Sequence, residues 1–360
     1  MPTQIIAWIL SFLSIFAFWN PNAQPNNIPE TRTYVGEVPD KYGTWPTKDF
    51  ENVSISPVIS AILEAKYLLK DLPGSKTDSV LILHKGKLVY ENYAEGWDKD
   101  TPHAMYSVTK SVLSALVGIA IGEGKIKGVD QKVIDFFPDA VIAKSQESKR
   151  DMTIEHLLTM TSGLPGDGDD SDWPWWEGTD TGKAAFETPQ MAAPGTRFSY
   201  SSGPNCHTLA CLVSRAVGMN LFEYAKKKLF GPLGMTSVQW DAAEDGRNFG
   251  GFGIYMTPRD MVRFGYLNHG RWDDKQIIPA SFVAVTPPRS KAENAYGYLF
   301  WNGRLRQFDS SYQANGAWGQ YINILPEYDA VVVRTSSQTW INEQWDNFQN
   351  QLDEMGLKFW

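Results

Sequence analysis

Apolar runs of strand length stand near both ends of this chain. Between residues 79 and 94, the stretch SVLILHKGKLVYENYA carries two partly alternating apolar runs on either side of His84-Lys85-Gly86-Lys87. A short polar break containing glycine between two such runs is typical of a β-hairpin. Three further runs predict strands near the C-terminal end: AYGYLFWNG (295–303), GQYINILPE (319–327) and DAVVVRTS (329–336).

The pattern between these strands has helical spacing. Helices are predicted over residues 55–69, from near Ala104 to Gly124, and from Trp340 to Leu357. Residues 125 to about 290 read as helices and loops. We therefore expect an α+β fold, with an antiparallel sheet built from both chain ends, flanking helices and an inserted, mostly helical region.

The same pattern predicts a division of the chain into regions. Residues 25–104 and 295–360 are expected to form the sheet region, and residues 105–294 the mostly helical region. Clefts between two such regions are common ligand sites. We therefore expect a functional site at their junction.

The N-terminal segment, residues 1–24, differs from the rest. Ile5 to Trp19 is an almost continuous apolar stretch of 15 residues, short for a membrane span and of the right length for the core of a signal peptide. The preceding residues, MPTQ, contain no lysine or arginine. The segment predicts export, to the periplasm or the medium, with an uncleaved membrane anchor as the alternative.

The composition of the chain limits the kinds of molecule that it is expected to bind. The formal net charge of −8 argues against nucleic acid, because binding to phosphates requires clustered lysine and arginine. The two cysteines, Cys206 and Cys211, stand five positions apart in a predicted helix, which suits buried free thiols better than a disulfide. No zinc-ligand spacing is present, so we expect neither a metal nor a cofactor. A small molecule is the expected partner.

Ser107 and Lys110 begin the helix of residues 105–124, in MYSVTKSVLSALVGIAIGEG. Residues three apart share a helix face, so the amine can approach the hydroxyl. The positive end of the helix disfavours a protonated lysine and favours a developing alkoxide, as acyl transfer requires. A helix-starting serine with a solvated lysine fits this motif equally well.

Other stretches of the chain favour the catalytic interpretation of Ser107 and Lys110. The chain resembles the serine β-lactamase and penicillin-binding-protein superfamily, in particular class C-like esterases and aminohexanoate-dimer hydrolases. The resemblance runs from Ser79 to Ser336 through MYSVTKSVLSALVGIAI, MTIEHLLTMTSGLP, APGTRFSYSS, LFGPLGM, GIYMTPRDMVRFGYLNHGRWDDKQIIP and ANGAWGQYINILPEYDAVVV. It implies a β-lactamase-like fold.

The resemblance also implies roles for individual residues. Ser107 would be the acylated nucleophile, Lys110 its general base, and Tyr200 of Tyr200-Ser201-Ser202 a proton relay. The third element of the superfamily maps to Ala314-Asn315-Gly316. These motifs place Ser202, Asn315 and Gly316 at the substrate.

The backbone N–H of Ala317 would pair with that of Ser107 as the oxyanion hole. A Cβ at Gly316 would collide with substrate. Trp318 would narrow the mouth of the site. A plain turn into the following strand is the alternative for this segment.

Two departures bear on the substrate. Ser202 stands where β-lactamases carry asparagine, and Ala314 stands where they carry a lysine that meets the substrate carboxylate. Neutral esters or amides lose little without that lysine. The sequence therefore predicts a serine hydrolase that cleaves a small carboxylic ester or amide through an acyl-enzyme intermediate. β-Lactamase or D-Ala-D-Ala peptidase activity, and a non-catalytic penicillin-recognising or cell-wall-binding module, are the alternatives.

The acidic, tryptophan-rich stretch GLPGDGDDSDWPWWEGTD (163–180) is interpreted either as a lid over the site or as a solvated loop. Asp167, Asp169 and Asp172 faintly suggest calcium, but their spacing does not match an EF-hand loop, so no metal is predicted. None of the histidines has the context of a catalytic base. His156, on an apolar helical face, is interpreted as a structural hydrogen-bonding residue.

Overall fold

A seven-stranded antiparallel sheet is the main element of the part of the chain that the structure describes. The structure is a computed structural model that describes residues 75–167, 169, 181–243, 245–268, 277–285, 296–302 and 311–338. The strand order in the sheet is β2-β1-β10-β9-β8-β7-β6. The strands in chain order are β1 Ser75–His84, β2 Lys87–Tyr93, β3 His103–Ala104, β4 Gln239–Trp240, β5 Ile254–Met256, β6 Tyr296–Gly297, β7 Phe300–Asn302, β8 Tyr312–Gly316, β9 Gln320–Leu325 and β10 Ala330–Gln338.

Helices and a second, small sheet fill the described chain between β2 and β6. Strands β3, β5 and β4 form the small sheet in that order. The α-helices are α1 Val108–Gly122, α2 Ile154–Leu158, α3 Ala184–Glu187, α4 Pro204–Val217, α5 Leu221–Ala225, α6 Pro258–Asn268 and α7 Ala280–Val285. The α+β fold expected from the sequence is confirmed, and the region expected to be mostly helical also contributes β4 and β5.

The interior strands β1 and β10 are buried on both faces, which explains their continuous apolar sequences. Leu81 to Leu83 in β1 and Val331 to Val333 in β10 are all fully buried. Helix α6 packs on β1, β9 and β10 at Gly265, where a Cβ would lie 2.5 Å from the Val331 side chain. Helix α1 lies against β8 and β9, which brings its first turn to the sheet.

Two predicted boundaries were wrong. Helix α1 begins at Val108 and not near Ala104, because Ala104 pairs with Tyr255 in the small sheet. The strand predicted over residues 295–303 is a hairpin of β6 and β7, and Tyr298 and Leu299 between them have φ of 45° and 64°. Left-handed turns of this kind are not readable from apolar side chains.

Several predictions fall outside the described residues. They are the segment of residues 1–24, the helices over 55–69 and 340–357, and most of the acidic stretch 163–180. Within the described part of the chain, no helix has the length and apolarity to cross a membrane. Export and the division into two regions stay predictions. Cys206 and Cys211 are buried in α4 as thiols that are not joined in a disulfide, as expected.

Candidate active site

Ser107 and Lys110 meet at the first turn of α1. Ser107 is the N-cap residue, and its side chain makes no capping hydrogen bond. The Lys110 Nζ atom donates a hydrogen bond to Ser107 Oγ at 2.8 Å. Lys110 is only 1% exposed, so it is not the solvated lysine of the alternative interpretation.

The Lys110 amine donates hydrogen bonds to three oxygen atoms and also interacts with the Tyr200 side chain. Besides Ser107 Oγ, it donates to Ser202 Oγ at 2.8 Å and to the backbone carbonyl of Gly251 at 2.9 Å. An ammonium group has three N–H donors, so all of them are used here. Gly251 is a residue that the sequence analysis missed, because its contribution is a main-chain atom.

Tyr200 lies on the other side of Ser107. Its hydroxyl is hydrogen-bonded to Ser107, and its ring lies 4.7 Å from the Lys110 ammonium and stacks on Trp301 at 5.6 Å between centroids. Tyr296 packs edge-on against the same ring at 5.8 Å. Burial raises the pKa of Tyr200, so its hydroxyl is neutral near pH 7.

The protonation state of Lys110 differs from the sequence-based expectation. Burial by itself, the largest single effect, lowers the pKa of the amine. Tyr200, Cys206 and Asp167 outweigh it, and the pKa of Lys110 is raised above its ordinary value. The resting site therefore holds an ammonium, although the helix end was expected to disfavour one.

Asp167 completes the cluster, and the sequence analysis did not assign it there. Its Oδ2 accepts from Ser202 Oγ at 2.6 Å, and its Oδ1 accepts from the Ser202 backbone N–H at 2.7 Å. The sequence signal was the acidic stretch itself, which was interpreted as a lid or a solvated loop. Within the described residues, no group of three or more possible ligands could hold a metal ion.

The end of β8 lies against the segment that leads into Ser107. A Cβ at Gly316 would lie 2.3 Å from the Met105 carbonyl oxygen and 3.2 Å from the Gln320 Cβ. The protein's own backbone is therefore a sufficient reason for a glycine at this position, and the expected collision of a Cβ with substrate stays a prediction. Ala317 is the next residue after this contact, and Met105 lies two residues before Ser107.

The other residues predicted at this edge are placed as follows. Ala314 is fully buried, opposite Ile322 of β9. The Asn315 side chain donates to Gln313 Oε1 at 2.9 Å. Trp318 has φ of 63° within the turn of residues 317–319 that joins β8 to β9.

Four of the five histidines are described, and three of them have clear structural surroundings. His156 accepts from the Thr153 backbone N–H at 3.2 Å in a capping box of α2, which confirms its structural interpretation. His103 stacks on Trp97 and lies 3.4 Å from Asp78. Burial lowers the pKa of His207 to about 4.

Comparison with known proteins identifies the family. The sequence profile of the Beta-lactamase family matches residues 68–344. The chain belongs to the beta-lactamase family. As a member of this family, the protein is a serine hydrolase, and the resemblance found in its sequence is confirmed.

Individual relatives agree with this assignment. The 6-aminohexanoate-dimer hydrolase of Paenarthrobacter ureafaciens is 26% identical, with 72% of each chain covered. Two solved structures share the fold of this beta-lactamase-family chain. The octameric penicillin-binding protein homologue from Pyrococcus abyssi has a TM-score of 0.59 at 20% identity, covering 84% of this chain and 78% of that one. EstCE1, a hydrolase with promiscuous acyltransferase activity, has a TM-score of 0.59 at 16% identity, covering 83% and 96%.

Proposed function

We propose that this protein hydrolyses a small carboxylic ester or amide through an acyl-enzyme on Ser107. The observation that carries the proposal is the buried Lys110 amine, 2.8 Å from Ser107 Oγ and held by two further acceptors. A serine hydroxyl is a weak nucleophile unless a base lies within hydrogen-bond reach. Lys110 is such a base once it has lost one proton.

The reaction follows from the positions of these groups. Ser107 Oγ attacks the carbonyl carbon, and its proton passes to the neutral amine of Lys110. Tyr200, hydrogen-bonded to Ser107, lies where it can pass a proton on to the leaving alcohol or amine. Water then attacks the acyl-enzyme, the acid leaves, and Ser107 recovers its proton. Because Lys110 rests as an ammonium, the rate should rise with pH through the neutral range.

The oxyanion would be held by two backbone N–H groups, those of Ser107 and Ala317. The first lies at the start of α1, and the second follows the β8 residue that touches Met105. Backbone donors that are fixed before the reaction stabilise the developing charge, each typically contributing about 3 kcal/mol.

Replacing Gly316 by alanine is therefore expected to damage the site. The new Cβ would overlap the Met105 carbonyl, and relief of such overlap costs about 1–3 kcal/mol of stability. The shift also separates the two oxyanion donors, so we expect reaction at Ser107 to slow by about 100-fold. Thermal unfolding and labelling rates measure both effects. Gly128→Ala is the matched control, since no atom lies within 4 Å of a Cβ there. Wild-type rates in Gly316→Ala would contradict this account of the site.

The proposed substrate class rests on the residue at position 314, in β8. Ala314 is buried and uncharged at the position where β-lactamases carry the lysine that meets the substrate carboxylate. A neutral substrate does not need that charge-assisted bond. The name of the Paenarthrobacter relative, a dimer hydrolase, is in keeping with a small substrate.

Intact mass after exposure to a fluorophosphonate probe tests this proposal. One adduct per chain, mapped to the peptide that contains Ser107, is the expected result. Hydrolysis of short-chain nitrophenyl esters without turnover of a cephalosporin would support the substrate class, whereas the reverse would favour a β-lactamase. A folded protein without any adduct would contradict the mechanism and leave the non-catalytic binding module.

A further inference from the structure

The direction of the hydrogen bonds around Lys110 can be deduced from Asp167. A carboxylate accepts hydrogen bonds and donates none. The Ser202 hydroxyl, 2.6 Å from Asp167 Oδ2, must therefore donate its hydrogen to Asp167. The backbone N–H of Ser202 binds the other carboxylate oxygen at 2.7 Å, so the orientation of the carboxylate is also fixed.

This assignment fixes the Lys110 amine in turn. Because its hydrogen is used, Ser202 Oγ can only accept from Lys110, at 2.8 Å. The Gly251 carbonyl, at 2.9 Å, can also only accept. Two of the three free tetrahedral directions on Nζ are thus N–H bonds, and the third points at Ser107 Oγ, on the side where the Tyr200 side chain also lies. In the ammonium this third direction is an N–H, and in the neutral amine it is the lone pair that receives the serine proton.

We propose that Asp167 is a positioning residue of the active site, which acts through Ser202 to aim the Lys110 lone pair at Ser107. The inference rests on the proposed function, because it assumes that Lys110 is the base for Ser107. It assigns a role to a residue outside the three motifs that the resemblance implied.

Asp167 also raises the pKa of Lys110. The other titratable groups that act on Lys110 are Tyr200 and Cys206, and Tyr296 lies behind them. Burial raises the pKa of both tyrosines and raises that of Cys206 to about 12, so all three are neutral near pH 7. Burial raises the pKa of Asp167 as well, whereas Lys110 and the hydrogen bonds from Ser202 and Gly203 lower it, and Asp167 is the acid with the lowest ordinary pKa among these groups. Removing its charge should therefore lower the pKa of Lys110.

A purely structural role makes a different prediction. The Asp167 carboxylate also accepts hydrogen bonds from the backbone N–H groups of Ser202 and Gly203, immediately before α4. A carboxylate there stabilises the start of the helix. If helix capping were the whole role of Asp167, loss of the carboxylate would lower the melting temperature and would not change the pH dependence of the reaction.

The pH profile of fluorophosphonate labelling separates these roles, and it needs no natural substrate. The second-order rate constant reports ionisations of the free enzyme, as kcat/KM does. Between pH 6 and 10, the wild type should accelerate with pH towards the raised pKa of Lys110. In Asp167→Asn, we expect the profile to flatten within this range, whereas the wild type still rises at pH 10, and we expect labelling at pH 10 to be about 10-fold slower than in the wild type.

Asp169→Asn is the matched control, with the same loss of charge two residues along the chain. The Asp169 carboxylate accepts hydrogen bonds from the Gly166 backbone N–H at 2.8 Å, from Ser199 Oγ at 2.9 Å and from Arg197 at 2.6 Å. None of these contacts involves Lys110. The labelling rate of Asp169→Asn should depend on pH as in the wild type, even if the melting temperature of the variant falls. If the two variants gave the same profile, Asp167 would be only a helix cap and the inference would be wrong.

Ser202→Ala provides a second test that does not depend on how Asp167→Asn folds. It keeps the carboxylate and removes the connecting hydroxyl, so we expect labelling at least 10-fold slower, with the wild-type dependence on pH. Labelling at the wild-type rate would overturn the inference. Absence of an adduct on the wild type would instead refute the proposed function itself.

Discussion

Replacing Ser107 by alanine is expected to abolish both the fluorophosphonate adduct and ester hydrolysis. The substitution removes the only atom proposed to bond covalently to the substrate. Loss of a nucleophile that works together with its base typically costs at least about 10⁴-fold in turnover. The fold should survive, because the Ser107 side chain makes no capping hydrogen bond in α1. Intact mass, ester turnover and thermal unfolding on the same sample measure all three quantities.

Ser111→Ala is the control for this substitution. Ser111 lies one turn further along α1, and its hydroxyl donates to the Leu299 carbonyl at 2.7 Å, away from the Lys110 amine. We expect it to cost about 1 kcal/mol of stability and to keep the adduct. Labelling of Ser107→Ala at any other residue would show that the nucleophile had been misassigned.

Replacing Lys110 by methionine is expected to give the second large effect, on rate and on stability together. Methionine fills a similar volume but offers no lone pair, and a general base contributes about 10²–10⁴-fold. The substitution also leaves the partly buried Asp167 without its cation and Gly251 without its donor. We expect the free energy of unfolding to fall by about 2 kcal/mol.

A double-mutant cycle separates the two effects. Adding Asp167→Asn to Lys110→Met removes the uncompensated charge, so most of the lost stability should return. The labelling rate should not return, because no base has been restored. Denaturant unfolding and labelling rates are measured on the wild type, the two single variants and the double variant. Additive losses of stability would show that Lys110 and Asp167 do not interact, which would contradict the hydrogen-bonded chain between them.

Much of the fold could be predicted because it depends on local patterns. The β1–β2 hairpin follows from two apolar runs around His84 to Lys87, and the strands β9 and β10 follow from apolar runs of strand length. Helix α1 was predicted from its apolar residues, but its first residue was not. Pairing of Ala104 with Tyr255, a partner far along the chain, sets that boundary.

The site was predictable only in part, for the same reason. Ser107 and Lys110 are three residues apart, so helix geometry alone brings their side chains together. Asp167 reaches Ser202 across 35 positions, and Gly251 reaches Lys110 across 141. No local spacing predicts such contacts, and an aspartate in an acidic stretch has the same sequence signal whether it binds solvent, a metal or a serine.

The sequence by itself therefore determined the family, the α+β fold and the Ser107–Lys110 pair. These depend on hydrophobic periodicity and on motifs carried by neighbouring residues. Only the tertiary structure decided that Lys110 is buried, that Asp167 faces it through Ser202, and that Gly316 lies against Met105. The proton on Lys110 depends on the sum of burial and nearby charge, and both are properties of the packed chain rather than of any segment of it.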